Sequence, residues 1–293
     1  MITIATDFGS PYPAAMKGVL CQRTDARLVD VAHDFPRQDV RAAAFWLREV
    51  LPYFPPATHL VVVDPGVGTD RNAIVVRAGD HVLVGPDNGV LLPAARRLAP
   101  ADDREGYVIE ETRLESVEPT GTGTTPRAAL GSDDDDGGRD RDRGPASNTF
   151  HGRDVFAPAA AAVHDADHET LAELSVLRPA EASVDLTLPE PTLEPADSPA
   201  DADRAVGEVL VVDDFGNAIT NVPGPFLADR DRIEANGEVV PVGETFAAVG
   251  VGERLATVGS HGYVELDVNQ GRGDDAFGLS AGDRVVLERV DDG

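Results

Sequence analysis

Residues 58–71 read THLVVVDPGVGTDR, an unbroken apolar run that ends at Asp64 and continues into a glycine-rich loop. A strand whose successive residues are all apolar is buried on both faces, which is typical of parallel sheets covered by helices. Upstream, ITIAT (2–6) and RLVDVA (27–32) predict further strands, and the segments between them have helical apolar spacing. This alternation predicts an α/β fold, with a three-layer α/β/α domain and a mainly parallel sheet in residues 1–180.

The rest of the chain differs from this domain in composition and in its secondary-structure pattern. Residues 206–293 contain short strand patterns separated by Gly, Asn and Asp turns, which predict a small C-terminal β-barrel domain. Residues 181–205 are rich in Pro, Ala and acidic residues, and we expect an interdomain linker there. Residues 117–146 include SDDDDGGRDRDRG and lack apolar periodicity, which predicts an acidic, disordered insertion in the first domain.

Acidic residues dominate the charge of the chain. It carries 52 Asp and Glu against 25 Lys and Arg, a formal net charge of −27, and this excludes nucleic acid as a partner because phosphates would be repelled. A distributed acidic surface also points to a halophilic archaeal host. The N-terminus has no positively charged leader and no apolar run has membrane-spanning length, so we expect a cytoplasmic protein that binds no membrane. The single Cys21 lies in a helical pattern and is expected to be buried.

Polar residues follow three predicted strands of the first domain. Asp7, Asp64 and the pair Asp87 and Asn88 each stand at a strand end, where open α/β sheets bind their ligands. One such aspartate is usually a turn or capping residue, but three together indicate a site. Arg71 follows Asp64 across a short Pro-Gly loop that can bring the guanidinium back to the carboxylate, although Asp/Arg pairs in loops are commonly structural.

The histidines are candidates for bases and for metal ligands. His151, in TFHGRDVFAP (149–158), is either a structural hydrogen-bonding residue or a group that takes up a proton near neutral pH. His33, His164 and His168 lack a third ligand nearby, so we expect no metal and no cofactor.

Two polar loops of the second domain suggest ligand contacts. They are VDDFGNAITN (212–221) and GSHGYVELDVNQG (259–271). The amides of Asn217 and Asn221 can donate and accept together, which suits a purine edge or a carboxylate, although Asn-Gly-type turns explain them equally well.

Six segments together resemble one protein family. In chain order they are ATDFG (5–9), VDPGVGTDR (63–71), VGPDNGVL (84–91), TFHGRDVFAP (149–158), DDFGNAITNV (213–222) and GSHGYVELDVNQG (259–271). They resemble the S-adenosylmethionine hydroxide adenosyltransferases, relatives of the fluorinase and chlorinase. The resemblance implies an α/β/α domain followed by a β-barrel, assembled as a homotrimer with each site between neighbouring subunits. It also implies attack of water or hydroxide at C5′ of S-adenosyl-L-methionine, a small-molecule substrate, giving adenosine and L-methionine.

The resemblance assigns roles to individual residues. It maps Asp7 onto the carboxylate that grips the ribose hydroxyls, and Asp64, Arg71 and His151 onto the group that delivers hydroxide. Asn217 corresponds to an adenine contact, Phe246 to an aromatic residue against the adenosine, and Ser260 to the methionine end. The substrate-binding residues that we predict are Asp7, Phe8, Asn88, Phe150, Asp213, Asn217, Phe246, Ser260 and Asn269.

This chain departs from the family pattern at two places. The 9–13 loop is about two residues short and lacks the family's aspartate, for which Ser10 and Tyr12 are the candidate replacements. His261 stands where halogenating relatives have an arginine near the methionine carboxylate.

Other functions remain open at this point. A chlorinase-like enzyme would use halide in place of water. A glycosidase would use Asp7 and Asp64 as acid and base but leave Arg71 and His151 without a role. A non-catalytic nucleoside-binding protein would need Asp7, Asn217 and Phe246 only.

Overall fold

The computed structural model describes residues 1–114, 149–195 and 198–290. The insertion predicted at 117–146 lies outside the described residues. The chain forms two compact units, Met1–Leu186 and Thr187–Gly293. The fold is α/β with two sheets, and the sheet of the second unit is nearly barrel-shaped.

The first unit is built on a seven-stranded sheet in the order β2-β1-β3-β5-β4-β6-β7. Its strands are β1 (Ile2–Thr6), β2 (Leu28–Ala32), β3 (Thr58–Val62), β4 (Ala73–Ala78), β5 (His81–Pro86), β6 (Arg104–Ile109) and β7 (Leu177–Pro179). Strands β2, β1, β3 and β5 are parallel neighbours, whereas β5, β4, β6 and β7 pair antiparallel. The sheet is therefore mixed, and the prediction of a mainly parallel sheet holds for only half of it.

The antiparallel half has a simple cause. Strands β4 and β5 are joined by the two residues Gly79 and Asp80, and Gly79 adopts the left-handed conformation with φ 57°. A two-residue connection can only join antiparallel neighbours, because a parallel pair needs a crossover of a dozen or more residues. This hairpin thus places an antiparallel pair inside the sheet.

Helices cover both faces of this sheet. They are α1 (Tyr12–Arg23), α2 (Val40–Val50), α3 (Leu92–Leu98) and α4 (Ala157–His164). Helix α2 begins after Asp39, whose carboxylate caps the helix by accepting a hydrogen bond from the Ala42 amide at 2.9 Å.

Successive residues along β3 pack into two separate hydrophobic cores, one on each face of the sheet. Leu60 and Val62 of β3 pack in one cluster with residues of α1 and α4. Val61 and Val63 point the other way and pack with residues of α2 and α3. The unbroken apolar run of β3 is explained by these two buried faces. Cys21 is exposed on α1, so its predicted burial is wrong; the helix instead turns Met16, Val19 and Leu20 inward.

The second unit is an eight-stranded sheet with strands β8 (Thr192–Glu194), β9 (Arg204–Val212), β10 (Ala218–Pro223), β11 (Arg232–Ala235), β12 (Glu238–Pro241), β13 (Arg254–Val258), β14 (Tyr263–Val268) and β15 (Arg284–Arg289). The order is β12-β11-β15-β9-β10-β14-β13, and β8 pairs with β9. Val242, just after β12, forms a bridge with Ala256 of β13, which brings the two ends of the sheet together. Helix α5 (Gly273–Phe277) packs on β14.

The segment predicted as a linker contributes to this second sheet. Within residues 181–205, Thr192–Glu194 forms β8, and Arg204 already opens β9. Leu193 packs against the core of the second unit. The Pro-rich segment therefore includes an edge strand, β8, and edge strands are the part of a sheet where proline is tolerated.

Candidate active site

A cavity of about 500 Å³ lies in the first unit, beside the ends of β1 and β3. It is lined by Asp7, Phe8, Tyr12, Val62, Asp64, Val67 and the run Thr149–Arg153. Because β1, β3 and β5 are parallel neighbours, their carboxyl ends meet at one edge of the sheet. The structure thus brings together residues from the start of the chain, from the 64–71 loop and from the segment around His151.

Asp64 and Arg71 form a two-point ion pair at this edge. Arg71 Nε donates to Asp64 Oδ1 at 2.8 Å, and Nη2 donates to Oδ2. The side chains of Asp64 and Arg71 are 5% and 10% exposed, and the Arg71 guanidinium lies over the Phe156 ring at 5.0 Å. The bidentate, charge-assisted geometry fixes the orientation of the two groups relative to each other.

The 64–71 loop is folded so that Arg71 can return to Asp64. Thr69 closes a turn through its amide and hydroxyl, which both donate to the Gly66 carbonyl. Gly68 has φ 80°, a conformation that favours glycine. The Pro-Gly-rich composition of the loop is therefore what allows the short return.

His151 completes a chain of three side chains. It is 7% exposed, and its Nδ1 lies 3.0 Å from Arg71 Nη2. A guanidinium has only donors, so Nδ1 must be the acceptor of this hydrogen bond. The neutral His151 therefore carries its hydrogen on Nε2, and the ring donates rather than accepts at that atom.

A π-helical turn, Gly152–Phe156, follows His151 directly and leads into α4. Such turns occur frequently at functional sites. Gly152 lies in a tightly packed position, because a Cβ there would lie 3.1 Å from both Met16 Sδ and Phe150 Cε2. Arg153 donates from Nε and Nη2 to the buried Asp154 at 2.6 and 2.8 Å, which fixes the turn beside the cavity.

Asp7 is held at the cavity by the backbone of a neighbouring loop. Its Oδ2 accepts from the Gln38 amide at 2.6 Å, and the side chain has one further oxygen. Gln38 itself has φ 62°, so the left-handed backbone at this residue aims the amide at the carboxylate. Asp7 is thus fixed in position while keeping acceptor capacity for a ligand.

Three aromatic rings stand together on the cavity wall. Phe8, Tyr12 and Phe150 have pairwise ring-centroid separations of 6.2, 6.2 and 5.6 Å, with interplanar angles between 82° and 89°. Arg153 lies over the Phe150 ring at 5.2 Å. Phe8 and Phe150 were predicted site residues, and Tyr12 was a candidate replacement for the missing loop aspartate.

Asn88, also predicted as a substrate contact, is used inside the fold. Its Nδ2 donates to the Val63 carbonyl at 2.9 Å, and its Oδ1 accepts from the Val90 amide at 3.1 Å. Asp87 likewise accepts from the Val184 amide at 2.7 Å. These two residues tie β5 to neighbouring segments, so the structure gives them a local structural explanation.

The remaining predicted residues belong to the second unit. Asp213 closes a loop by accepting from the Phe215 and Asn217 amides and from Asn217 Nδ2. Asn269 donates to the Val249 carbonyl at 2.8 Å, and Asn221 is held between Glu208 and Pro189. Phe246 and Ser260 are exposed, and His261 lies beside Ser260 in the turn between β13 and β14.

Sequence reasoning missed several residues that line the cavity, namely Val62, Val67, Thr149, Gly152 and Arg153. Arg153 could have been found, because it is a charged residue within the same short motif, two residues after His151. Val67 could not, since an apolar residue in a glycine-rich loop has no distinguishing signal. Within the described residues, no helix combines the length and the apolar character that crossing a membrane requires.

Comparison with known proteins places these segments in a family. The N-terminal domain of the SAM hydroxide adenosyltransferases matches residues 2–174, and their C-terminal domain matches residues 207–286. A relative from Salinispora tropica, named (R)-S-adenosyl-L-methionine hydrolase, is 39% identical over 97% of this chain and 96% of its own length. A Thermus thermophilus protein of the same name is 39% identical, with 96% and 97% covered.

Solved structures agree over the whole chain. An uncharacterized conserved protein from Thermotoga maritima has a TM-score of 0.75 and 30% identity, with 99% of this chain and 100% of that chain covered. A conserved hypothetical protein from Thermus thermophilus has a TM-score of 0.67 and 34% identity, with 99% of each chain covered. Sequence, domain order and fold thus lead to one assignment, predicted from the six motifs: the chain belongs to the SAM hydroxide adenosyltransferase family.

Proposed function

We propose that this protein hydrolyses S-adenosyl-L-methionine, with water attacking C5′ to give adenosine and L-methionine. The observation that carries the proposal is the hydrogen-bonded chain Asp64, Arg71 and His151 at the wall of the cavity. The name of the 39% identical relatives, (R)-S-adenosyl-L-methionine hydrolase, supports the same reaction.

The chemistry requires an aligned nucleophile and little else. The water oxygen forms a bond to C5′, the C5′–S bond breaks, and its electron pair stays on sulfur. Methionine leaves as a neutral thioether, so no general acid has to protonate it. The enzyme therefore has to align a water in line with the C5′–S bond and accept its proton.

Asp64 is the acceptor for that proton. Each of its oxygens receives a hydrogen bond from Arg71 and keeps a second lone pair, which can accept from water. A carboxylate paired with arginine is a weak base, but a sulfonium leaving group demands only partial proton transfer at the transition state. The proton passes to solvent after the bond to C5′ has formed.

His151 orients the water as a donor. Since Arg71 occupies Nδ1, the Nε2 hydrogen is the one that can face the attacking oxygen. The hydrogen bond that it donates fixes the position of the water oxygen, so that a lone pair points at C5′ in line with the C5′–S bond. In this proposal His151 orients the water and does not take up its proton, and the acceptor role belongs to Asp64.

The rest of the site is part of the same proposal. Asp7 binds the ribose hydroxyls and Phe8 and Phe150 pack against the ligand, while Asp213, Asn217, Phe246, Ser260 and Asn269 contact it from a neighbouring subunit of a homotrimer. Asn88, just after β5, contacts the ligand in addition to its hydrogen bonds to Val63 and Val90. No cofactor is needed, because the sulfonium itself activates C5′. Sedimentation at about three times the chain mass of 30.9 kDa would support the trimer, and a fully active monomer would refute it.

The finer architecture and setting are proposed with it. A three-layer α/β/α domain agrees with the two cores on opposite sheet faces, and a small β-barrel agrees with the nearly closed second sheet. A cytoplasmic, halophilic archaeal setting agrees with the net charge of −27.

The test is product analysis with a matched variant. Purified protein incubated with S-adenosyl-L-methionine should release adenosine and L-methionine in equal amounts. Asp64→Asn should lower turnover by about 100-fold or more, the size of losing one transition-state contact. Asp70→Asn, an exposed aspartate in the same loop, should leave turnover unchanged. No adenosine from the wild-type protein would refute the proposal.

A further inference from the structure

The rings of Phe8, Tyr12 and Phe150 are nearly perpendicular to one another in every pair, and all three line the cavity. Rings in T-shaped contact present a corner of π faces and edges rather than one flat stacking surface. Aromatic cages that bind quaternary ammonium groups have this kind of arrangement, because each ring face is negative and attracts a cation. The cluster therefore suits a compact organic cation better than a flat neutral base.

The charges around the cavity point the same way. Asp64 is matched by Arg71, and Arg153 is matched by Asp154. Asp7 accepts a backbone hydrogen bond and is paired with no cation in the part of the chain that the structure describes, so the lining has an excess of one negative charge. A ligand that brings one positive charge makes the cavity neutral.

The three rings are not equally available. Arg153 already lies over Phe150 at 5.2 Å, held there by its two hydrogen bonds to Asp154. Tyr12 is 56% exposed, an unusual state for a large ring on a cavity wall. It is also the first residue of α1, on the short loop where the family's aspartate is missing. Tyr12 is consequently the ring with the most surface to offer a ligand.

We propose that Phe8, Tyr12 and Phe150 form a cage for the sulfonium centre of the substrate, and that Tyr12 is the residue that discriminates this cation from the corresponding neutral thioether. The inference rests on the proposed function and adds a basis for selectivity to it. S-adenosyl-L-methionine carries one net positive charge, whereas S-adenosyl-L-homocysteine has the same nucleoside and a similar amino acid without it. Preference for the cation keeps thioethers from occupying the site.

Equilibrium binding tests this without relying on turnover. The cationic probe is sinefungin, in which a carbon bearing an ammonium group replaces the sulfonium, and the neutral probe is S-adenosyl-L-homocysteine. Wild-type protein should bind sinefungin more tightly. Tyr12→Leu should reduce the ratio of the two affinities by about 3- to 30-fold, the range of a cation–π contact. Tyr12→Phe, which keeps the ring, should hold the ratio within about twofold.

Tyr53→Leu is the matched control, since Tyr53 is exposed and is not one of the residues that line the cavity. It should leave both affinities unchanged. An equal loss of both affinities in Tyr12→Leu would mean that the ring stacks on the nucleoside, and it would overturn the cage. Equal affinities of the wild-type protein for the two probes, or no binding of either probe, would also overturn it. If Tyr12→Leu lowers the ratio of the sinefungin and S-adenosyl-L-homocysteine affinities as expected but the wild-type protein releases no adenosine, the proposed hydrolysis is refuted and the cage is not.

Discussion

One nitrogen of Arg71 links Asp64 to His151, since Nη2 donates both to Asp64 Oδ2 and to Nδ1 of His151. The two hydrogens of that nitrogen diverge, so the carboxylate and the imidazole are kept at a fixed angle to each other. Lysine cannot reproduce this, because its ammonium is a compact point charge without the planar fork. The relative placement of the two groups therefore depends on one guanidinium.

Arg71→Lys should reduce turnover by about 100-fold or more while changing adenosine affinity little, because the change misplaces the water-binding groups and not the nucleoside contacts. Steady-state kinetics and calorimetry with adenosine measure the two effects. Arg77→Lys is the control. Arg77 also uses its guanidinium to bind two partners, Asp103 and Glu105, but it is not one of the residues that line the cavity. Equal losses of turnover in both variants would contradict the assignment.

His151→Gln should retain more activity than His151→Ala, by about 10-fold, the effect of one hydrogen bond worth roughly 1.4 kcal/mol. The glutamine amide nitrogen can approach the position of Nε2 and donate a hydrogen bond there, but an amide cannot take up a proton in this pH range. Turnover of the two variants under identical conditions provides the comparison. If both are equally inactive, His151 acts as a base, and the donor role inferred from its hydrogen bond to Arg71 is wrong.

Asp7→Asn should weaken adenosine binding by about 10-fold, the cost of losing a charge-assisted hydrogen bond. Asparagine is preferred to alanine because its carbonyl oxygen can still accept from the Gln38 amide, so the loop stays in place. Calorimetry with adenosine measures the change, and Asp34→Asn, an exposed aspartate nearby in sequence, is the control. Unchanged adenosine affinity would remove Asp7 from the ribose site.

The second unit should lose stability as the pH rises from about 4 to about 8. Burial raises the pKa of Asp267 to about 8, with Glu265 and Asp213 adding repulsion, and burial beside Asp213 raises the pKa of Glu265 to about 7. The folded protein keeps these protons up to pH 7 to 8, while the unfolded chain releases them near pH 4. Between these pH values every increase in pH therefore lowers the free energy of unfolding. Asp267 is 0% exposed, and among the described residues neither of its oxygens has a hydrogen-bond partner.

Asp267→Asn should flatten this pH dependence and raise the Tm at pH 9 by several degrees, because the variant has no carboxylate to ionise in the barrel. Thermal unfolding from pH 4.5 to 9 measures it. Glu244→Gln, an exposed acidic residue of the same unit, should keep the slope of the wild-type protein. Parallel curves for Asp267→Asn and the wild-type protein would show that Asp267 does not titrate as described.

The sequence was informative where local pattern and topology coincide. Strand ends in a parallel arrangement predict a shared edge, and this holds for Asp7 and Asp64, whose strands β1 and β3 are neighbours. At Asn88 the local pattern is insufficient, because it predicts a ligand contact and an amide that ties a strand end to Val63 and Val90 equally well.

Two further features depended on distant contacts. Arg71 and His151 are 80 residues apart, so the hydrogen bond that sets the tautomer of His151 has no signature in either segment. The exposure of Cys21 depends on which face of α1 meets the sheet, and the helix has little amphipathic pattern to fix that in advance.

Water should be the nucleophile even where chloride is abundant, and this prediction separates the protein from a halide-using relative. A desolvated halide needs donors and no neighbouring negative charge, because a carboxylate repels it. Asp64 is a carboxylate that lines the cavity, and Gly152, beside His151, has no side-chain hydroxyl to replace a halide's hydration. Water instead needs a hydrogen-bond acceptor close by, since it must give up a proton as it attacks.

Both requirements of water are met by groups on the same wall, an acceptor at Asp64 and a donor at His151 Nε2. Turnover in oxygen-18 water with molar potassium chloride decides between the nucleophiles. Mass spectrometry should find the label in the 5′-hydroxyl of adenosine, at the same yield as without chloride. If 5′-chloro-5′-deoxyadenosine were the major product, chloride would be entering beside Asp64 in spite of its charge, and the protein would be a halide adenosyltransferase.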